Sequence, residues 1–374
     1  MRIQLDARAV RRRAVRCALI ALWPLLPGVS VADPADDARE AVAQASSRAP
    51  AWTGPTTGPG AAPGKTIAVL AEDLRNGGVL GVAQGIREAA REIGWKVRIL
   101  DAGGTTAGRG RAIADALASR PDGLVICGSD AHELEPVLRR AEGRLPPVVG
   151  WHAGPNPGRI EGTAVAMNVS TDPIAVARTT ALAAVAQSGG RAGVVVFTDS
   201  RFAIATAKAQ AMADVIRQCK GCTLLDVRDV AISESAGRMP AATRELLAAH
   251  GPRWTHALAI NDIYFDYAVP TLIESAVPNG AISLLSAGDG SAPAFMRIRA
   301  GTYQTGTVAE PLNLQGWQVV DELNRLIAGQ PVSGFVAPVH LVSGDNVASD
   351  GGSRFVYDPE NGYRDIYRRI WKRR

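Results

Sequence analysis

Short apolar runs alternate with amphipathic segments from Lys65 onward. The run KTIAVLA is rich in residues that favour strands, and the segment after it repeats apolar residues at helical spacing up to a glycine. The same alternation recurs through WKVRIL, GLVICG and PPVVGW, and it restarts after residue 168. Strands that alternate with helices form parallel sheets covered on both faces. The pattern therefore predicts an α/β protein with two doubly wound lobes.

Polar and aromatic side chains follow most of the predicted strands. In parallel sheets of this kind a ligand binds beyond the carboxyl ends of the strands, where loops and helix N-termini converge. These side chains therefore predict a site for a small polar molecule that has an apolar face. They are Glu72 and Asp73, Ser129 and Asp130, Trp151 and His152, Thr198 and Asp199, Asn261 and Asp262, and Asp289.

The net charge of the chain is concentrated at its start. The 374 residues suggest about two domains, and their formal charge is +5. Residues 1–32 contain six arginines and one acid, which leaves 35 basic and 35 acidic side chains in the remainder. A neutral body gives no electrostatic footprint for nucleic acid, so we expect no nucleic-acid partner.

Residues 1–32 have the composition of a secretory signal peptide. An arginine-rich start precedes an apolar stretch from Cys17 to Leu26, and Ser30, Val31 and Ala32 form a small-residue cleavage site. The apolar stretch is too short to span a bilayer. We expect a periplasmic protein, exported through the Sec or the twin-arginine route, without stable membrane insertion. Residues 33–64 are rich in Ala, Pro and Gly and are expected to form a flexible linker.

Two of the four cysteines are close in sequence. Cys219 and Cys222 form a CxxC motif at the end of a predicted helix, whereas a thioredoxin-type motif begins one. A zinc site needs two further ligands at matching spacing, and none is close in sequence. We expect a local disulfide, no bound metal and no cofactor, with Cys127 an unpaired buried residue of a strand.

Several segments between Lys65 and about Tyr357 resemble, in order and spacing, the type I periplasmic binding proteins of ABC transporters. They include TIAVLAEDLRNGGVLGVAQGIREAAREIG, PDGLVICGSD, PVVGW, ALAINDIYFDYAVPTLIESA, LLSAGDGSAPAFMRIRAG and QTGTVAEP. The similarity is to the ribose and galactose branch. It implies two lobes joined by three crossings, here near Asn168, Thr307 and Val336, with a ligand bound between the lobes.

The resemblance also implies domain boundaries. The first lobe is expected to comprise residues 65–167 plus 308–336, and the second residues 168–307 plus 337–360. The segment from Thr307 to Gly329 is expected to return a strand and a helix to the first lobe. Residues 361–374 form a basic, aromatic tail that we expect to be solvated, with contact to anionic lipid or a permease as the alternative.

The ligand contacts implied by the resemblance are Asp73, Asn76, Trp151, His152, Lys208, Asn261, Asp289 and Glu310. Glu310 replaces what is often a glutamine, and Lys208 what is often an arginine. Members of the branch commonly carry an Asp-Arg pair where this chain has Trp151 and His152. A stacking platform then replaces an ionic clamp on ligand hydroxyls.

Each of these residues also has a purely structural interpretation. Asp289 and Asp199 are placed to cap the helices that follow them. Trp151 taken alone is more often core than platform, and for Lys208 a solvated helix face is as consistent as the cleft.

The acidic residues favour an uncharged sugar or polyol over an anionic ligand. The predicted function is therefore a monomeric periplasmic receptor that delivers this ligand to an ABC permease. A ligand with an amine, or a sensory role, is the alternative. No hydrolase or nucleotide-binding motif is present, so a glycosidase is disfavoured, and a repressor would need a DNA-binding domain before Lys65.

Overall fold

The computed structural model describes residues 34–48, 51–140 and 145–372. The predicted signal peptide, residues 1–32, lies outside these ranges. The strands are β1 (Thr66–Ala71), β2 (Lys96–Asp101), β3 (Gly123–Cys127), β4 (Val148–Trp151), β5 (Val165–Val169), β6 (Gly193–Thr198), β7 (Thr223–Asp229), β8 (His256–Ala259), β9 (Ser283–Ser286), β10 (Gln304–Val308) and β11 (Leu341–Ser343). The helices are α1 (Pro34–Ala45), α2 (Gly77–Glu92), α3 (Thr106–Ala118), α4 (Ala131–Arg139), α5 (Pro173–Ser188), α6 (Ala203–Gln218), α7 (Ser235–His250), α8 (Ile263–Glu274), α9 (Ala292–Ala300), α10 (Leu312–Ile327), α11 (Val347–Asp350) and α12 (Tyr363–Trp371).

The strands form two sheets, one in each lobe, as the sequence pattern predicts. The first lobe contains a parallel sheet of order β2-β1-β3-β4-β5. The second lobe contains a sheet of order β11-β10-β9-β8-β6-β7, parallel except for β11, which pairs antiparallel with β10. The predicted class of two doubly wound α/β lobes is confirmed.

The sheet of the first lobe is buried on both faces. Ile67 and Val69 of β1 pack with α2 and α10, whereas Ala68 and Leu70 pack with α3 and α4. Such two-sided burial explains why the strands are continuous apolar runs rather than alternating ones.

Helices α2 and α10 cross at a point where each helix has a glycine, Gly85 in α2 and Gly316 in α10. A Cβ added to Gly316 would lie 2.5 Å from the carbonyl carbon of Gly85. This close approach positions α10 against the first lobe. In the sequence α10 follows β10, which belongs to the second lobe.

The parts of the chain that form the two sheets and α10 cross between the lobes three times: between β5 and α5, between β10 and α10, and between α10 and β11. The chain also passes from the second lobe to the first between α1 and Trp52, and again between α11 and α12. At the first crossing, Asp172 caps α5 by accepting hydrogen bonds from the backbone N–H groups of Ile174 and Ala175. One expectation about these crossings is wrong. The segment that begins at Thr307 returns a helix to the first lobe but no strand, because β10 pairs with β9 in the second sheet.

Residues 33–64 were expected to be a flexible linker, and the described part of this segment is instead packed on the protein. Helix α1 buries Ala38 against the core of the second lobe. Further along, Asn324 accepts a hydrogen bond from the backbone of Ala62, and Arg325 donates one to the carbonyl of Thr57. Trp52 packs against Phe335, with ring centroids 4.9 Å apart. The buried partners explain why a segment of low hydrophobicity is held in place.

The basic tail is also not a solvated extension. Helix α12 buries Tyr363, Tyr367 and Trp371 in the core of the first lobe, where Trp371 stacks on Trp317 with ring centroids 5.3 Å apart. Its arginines form ion pairs within the protein: Arg364 with Glu88 and Asp358, and Arg368 with Glu92. Packing and pairing together replace the solvation that the composition suggested.

Cys219 and Cys222 are joined by a disulfide, with their Cα atoms 5.3 Å apart, and Cys127 is a buried free thiol. Among the described residues, no helix is both long and apolar enough to cross a membrane.

We expect Trp371→Ala to lower the free energy of unfolding by about 3 to 5 kcal/mol, because it removes a buried indole and the donor to Asp321 Oδ1. Urea denaturation followed by circular dichroism measures the change. Lys372→Ala alters the exposed neighbour and should change stability by less than about 0.5 kcal/mol. Equal effects in the two variants would contradict the buried position of the helix.

The buried imidazole of His256 should make the stability of the protein depend on pH. Burial lowers the pKa of its side chain from 6.5 to about 4, so the unfolded chain binds the proton more strongly. Stability from this residue is therefore present above pH 6.5 and lost as pH falls toward 4. We expect the free energy of unfolding of His256→Gln, taken relative to that of the native sequence, to rise by about 3 kcal/mol as pH falls from 7 to 4. Urea titration measures it. A difference independent of pH would show that the imidazole titrates alike in both states.

Candidate functional site

A cavity lies between the lobes, at the carboxyl ends of the parallel strands. Its empty space, counted together with the solvent at its mouth, is about 620 Å³. Seven of the eight predicted ligand contacts line it: Asp73, Asn76, Trp151, His152, Lys208, Asn261 and Asp289. The eighth, Glu310, is 1% exposed and lies behind the wall. The topology thus brings together side chains that are up to 216 positions apart in the sequence, counting from Asp73 to Asp289.

Asp73 follows β1 and is held by an arginine two positions later. Arg75 Nε donates to Asp73 Oδ1 at 2.9 Å, and Nη2 donates to Oδ2 at 2.6 Å. Asn76 caps α2, because its Oδ1 accepts the backbone N–H of Gly78 at 2.9 Å. The loop after β1 is therefore fixed by its own side chains.

The loop after β6 has the same construction in the second lobe. Arg201 Nε donates to Asp199 Oδ1 at 2.9 Å, and Nη2 donates to Oδ2 at 2.7 Å. Asp199 also accepts the backbone N–H of Ile232. Helix α6 begins without any side-chain cap, so Asp199 is not the cap considered from the sequence.

Trp151 and His152 end β4 as a stacked pair. Their ring centroids are 4.0 Å apart with an interplanar angle of 10°. The indole Nε1 donates to Gln315 Oε1 at 2.7 Å, and the side chain is 1% exposed. His152 has a φ of 49°, a left-handed conformation that is uncommon outside glycine. The indole thus offers the cavity less surface than the expected platform, because the imidazole covers one of its faces.

The imidazole of His152 is directed at two carboxylates. Its Nε2 lies 3.4 Å from Glu310 Oε1, and its Nδ1 lies 3.9 Å from Asp289 Oδ1. His152 belongs to the first lobe and Asp289 to the second. The imidazole therefore lies between a carboxylate behind the wall and a carboxylate of the opposite lobe.

Asp289 and Asn261 form the polar end of the second lobe. Asn261 Nδ2 donates to Asp289 Oδ2 at 2.7 Å and reaches Asn76 Oδ1 across the cleft at 3.4 Å. Burial raises the pKa of Asp289, while His152 and Lys208 oppose the shift. Asp289 is not a helix cap, because Ser291 caps α9.

Lys208 is a buried side chain of α6 rather than part of a solvated helix face. It is 3% exposed, and its Nζ donates to the carbonyl oxygen of Ala287 at 2.7 Å. Its two remaining protons are available to the cavity and to the neighbouring carboxylates.

Glu310 lies on the second crossing, between β10 and α10. Its Oε2 accepts the backbone N–H of Thr171 at 3.3 Å and a hydrogen bond from Gln315 Nε2. Burial alone would raise its pKa, but His152 and the charge of Lys208 lower it to about 2. The carboxylate is therefore ionised at neutral pH. It links the first and second crossings to His152 at the wall of the cavity.

Sequence reasoning did not assign Glu72 and Arg201 to the ligand site, although both line the cavity. Burial raises the pKa of Glu72, and its ion pair with Arg109, 2.7 Å long, opposes the shift. Glu72 was noted at a strand end, but Arg109 is 37 positions away and gave no signal of the pairing.

The cavity is also less acidic and more apolar than expected. Two lining carboxylates, Glu72 and Asp73, are each paired with an arginine. Apolar side chains account for much of the remaining wall: Val79, Phe202, Ile204, Ala205, Ile232 and Ile260. In the part of the chain that the structure describes, no cluster of His, Cys, Asp and Glu is suited to a metal ion.

Residues 67–331 match the family model described as a periplasmic binding protein domain. No curated protein matches the chain. Among solved structures, a sugar ABC transporter protein from Yersinia enterocolitica subsp. enterocolitica 8081 is similar with a TM-score of 0.69 and 16% identity, over 83% of this chain and 95% of that one.

Two further similar structures are ABC transporter solute-binding proteins with bound ligands. One from Mycobacterium smegmatis, with bound glycerol, has a TM-score of 0.68 and 20% identity, over 79% of this chain and 99% of that one. One from Agrobacterium vitis, with bound allitol, has a TM-score of 0.65 and 18% identity, over 76% of this chain and 97% of that one.

We expect Glu310→Gln to lower the free energy of unfolding by about 2 kcal/mol or more at pH 7, because Lys208 and His152 lose their buried counter-charge. Since the folded pKa lies below the usual 4.5, this loss should disappear as pH falls from 4.5 toward 2. Chemical denaturation at several pH values measures it. Glu161→Gln removes an exposed carboxylate and is the matched control. A Glu310→Gln variant as stable as this control would contradict the role assigned to the charge.

Proposed function

Because the chain belongs to the periplasmic binding protein family, we propose that it is a receptor that captures a small uncharged polyhydroxylated ligand between its lobes and delivers it to an ABC permease. The observation that carries the proposal is the cavity itself. It lies between the two lobes at the carboxyl ends of their strands, and three crossings join the two sheets and α10.

An uncharged ligand fits the electrostatics of the cavity. After the internal ion pairs are set aside, Lys208 and His152 face the carboxylates of Asp289 and Glu310. An anionic ligand would meet these two carboxylates, and a cationic one would compete with Lys208. The bound glycerol and allitol of the two similar structures agree with a sugar or polyol as the ligand class.

The proposed ligand contacts are the seven predicted residues that line the cavity. Asn76, His152, Lys208, Asn261 and Asp289 supply hydrogen bonds, and Trp151 supplies an apolar surface. Asp73 acts mainly through Arg75, which occupies both of its oxygens. Glu310 holds His152 and the crossings from behind the wall.

The proposed mechanism is closure of the lobes over the ligand. Contacts between Asn261 and Asn76 and between His152 and Asp289 already join the two sides of the cleft. A ligand that bonds to both lobes stabilises this closed arrangement by its differential affinity for it, and the permease then recognises the closed form.

We further propose that residues 1–32 direct export to the periplasm and that the mature receptor is a monomer without covalent chemistry. The arginine-rich start and the small-residue cleavage site support export. The family consists of binding proteins, which supports a non-enzymatic role.

Ligand binding tests the proposal directly. A panel of polyols, pentoses, hexoses and amino sugars is titrated into the mature protein by thermal shift and calorimetry, and we expect at least one uncharged member to bind. Asp289→Asn should weaken that binding at least about tenfold, because it removes a charge-assisted acceptor from the polar end. Asp214→Asn, on the exposed face of α6, should leave it unchanged. Turnover of a glycoside without any binding signal would favour an enzyme instead.

A further inference from the structure

The wall of the cavity is divided between an aliphatic part and a compact polar part. Val79 comes from α2 of the first lobe, and Ile260 follows β8 of the second. Ile204 and Ala205 lie in the first turn of α6, and Ile232 follows β7. Aliphatic side chains thus reach the cavity from both lobes and from four separate elements.

Most of the charged groups at the wall are already satisfied by partners within the protein. The pairs are Glu72 with Arg109, Asp73 with Arg75, and Arg201 with Asp199. Glu72 Oε2 also accepts the hydroxyl of Ser129 at 2.5 Å. A ligand hydroxyl placed beside these groups would have to share oxygens and N–H groups that already carry internal hydrogen bonds.

The remaining hydrogen-bonding capacity is concentrated around Asp289. Asn261 binds Asp289 directly, His152 lies 3.9 Å from it, and Asn76 is linked to the same group through Asn261. A Cβ added to Gly78 would meet the Asp289 carboxylate, so this polar cluster lies close against the start of α2. Ser233, which accepts a hydrogen bond from Arg201, adds one further hydroxyl to the wall. The other side chains with spare donors or acceptors lie around Asp289 and therefore serve one end of a ligand.

We infer that the ligand is a small uncharged alcohol with a substantial hydrocarbon part, such as a short diol or a deoxy sugar, rather than a fully hydroxylated sugar. The inference rests on the proposed receptor function. Hydroxyls at one end bond to the cluster around Asp289, and methyl or methylene groups lie against Val79 and the isoleucines. A hydroxyl against the aliphatic wall loses its hydrogen bonds to water without replacement, whereas a methyl group there is favourable.

Matched ligand pairs test the inference by isothermal titration calorimetry on the mature protein. The pairs are 1,2-propanediol with glycerol, L-rhamnose with L-mannose, and L-fucose with L-galactose. In a pair that binds, we expect the member lacking a hydroxyl to bind about tenfold tighter or more. Equal or tighter binding of the fully hydroxylated member overturns the inference and leaves the proposed function standing. Absence of binding by every pair and by the wider panel overturns the proposed function.

Two variants test whether the aliphatic wall causes the preference. Val79→Thr keeps the shape of the side chain and replaces a methyl by a hydroxyl. Ile232→Thr also introduces a hydroxyl, at a partly exposed position, but shortens the side chain by one methyl group. Each is expected to reduce the ratio of the two affinities at least about threefold, because the wall then offers a hydrogen-bond partner. Ile273→Thr, at an exposed position on α8, is the matched control. If Ile232→Thr folds, as judged by its thermal transition, and the ratio is unchanged, the wall is not the cause.

Discussion

The buried carboxylate of Glu310 connects the parts of the molecule on which the cleft depends. It lies on one crossing, accepts the backbone N–H of Thr171 on another, and meets Gln315 in the first turn of α10. His152 faces its second oxygen from the end of β4. A charge taken out of water is costly unless it is paired and hydrogen-bonded, so these groups are held in one arrangement by the same charge. One buried charge therefore holds the first two crossings and the His152 side of the cavity together.

A second arrangement of charges, a pair of aspartate and arginine, occurs in both lobes. The loops after β1 and β6 each carry an aspartate held by the arginine two positions later, with the same donors on the same oxygens. Unpaired charges of one sign on both walls would oppose closure of a cleft with little water in it. Internal pairing removes that repulsion, and under the proposed function it leaves ligand recognition to a small number of groups near Asp289.

The sequence predicts the fold and the place of the site because both follow from local patterns. Strand-end reasoning brings Asn261 and Asp289 to one edge, and the structure places them in contact. Pairings between distant positions, such as Glu72 with Arg109, carry no local signal. The terminal segments were misjudged from composition alone. In the last helix, however, Tyr363, Tyr367 and Trp371 recur every four residues, a helical spacing that does indicate a buried face.

The packing of helix α12 on the first lobe has a consequence for the order of folding. Strands β6 to β10 of the second lobe lie within residues 193–308, so they are complete before α12 is synthesised. The aromatic core of the first lobe requires Trp317, Tyr367 and Trp371, two of which belong to α12. During synthesis, contacts that are distant in sequence form last. The lobe whose strands come first in the sequence thus completes its core only after the strands of the parallel series in the other lobe have been made.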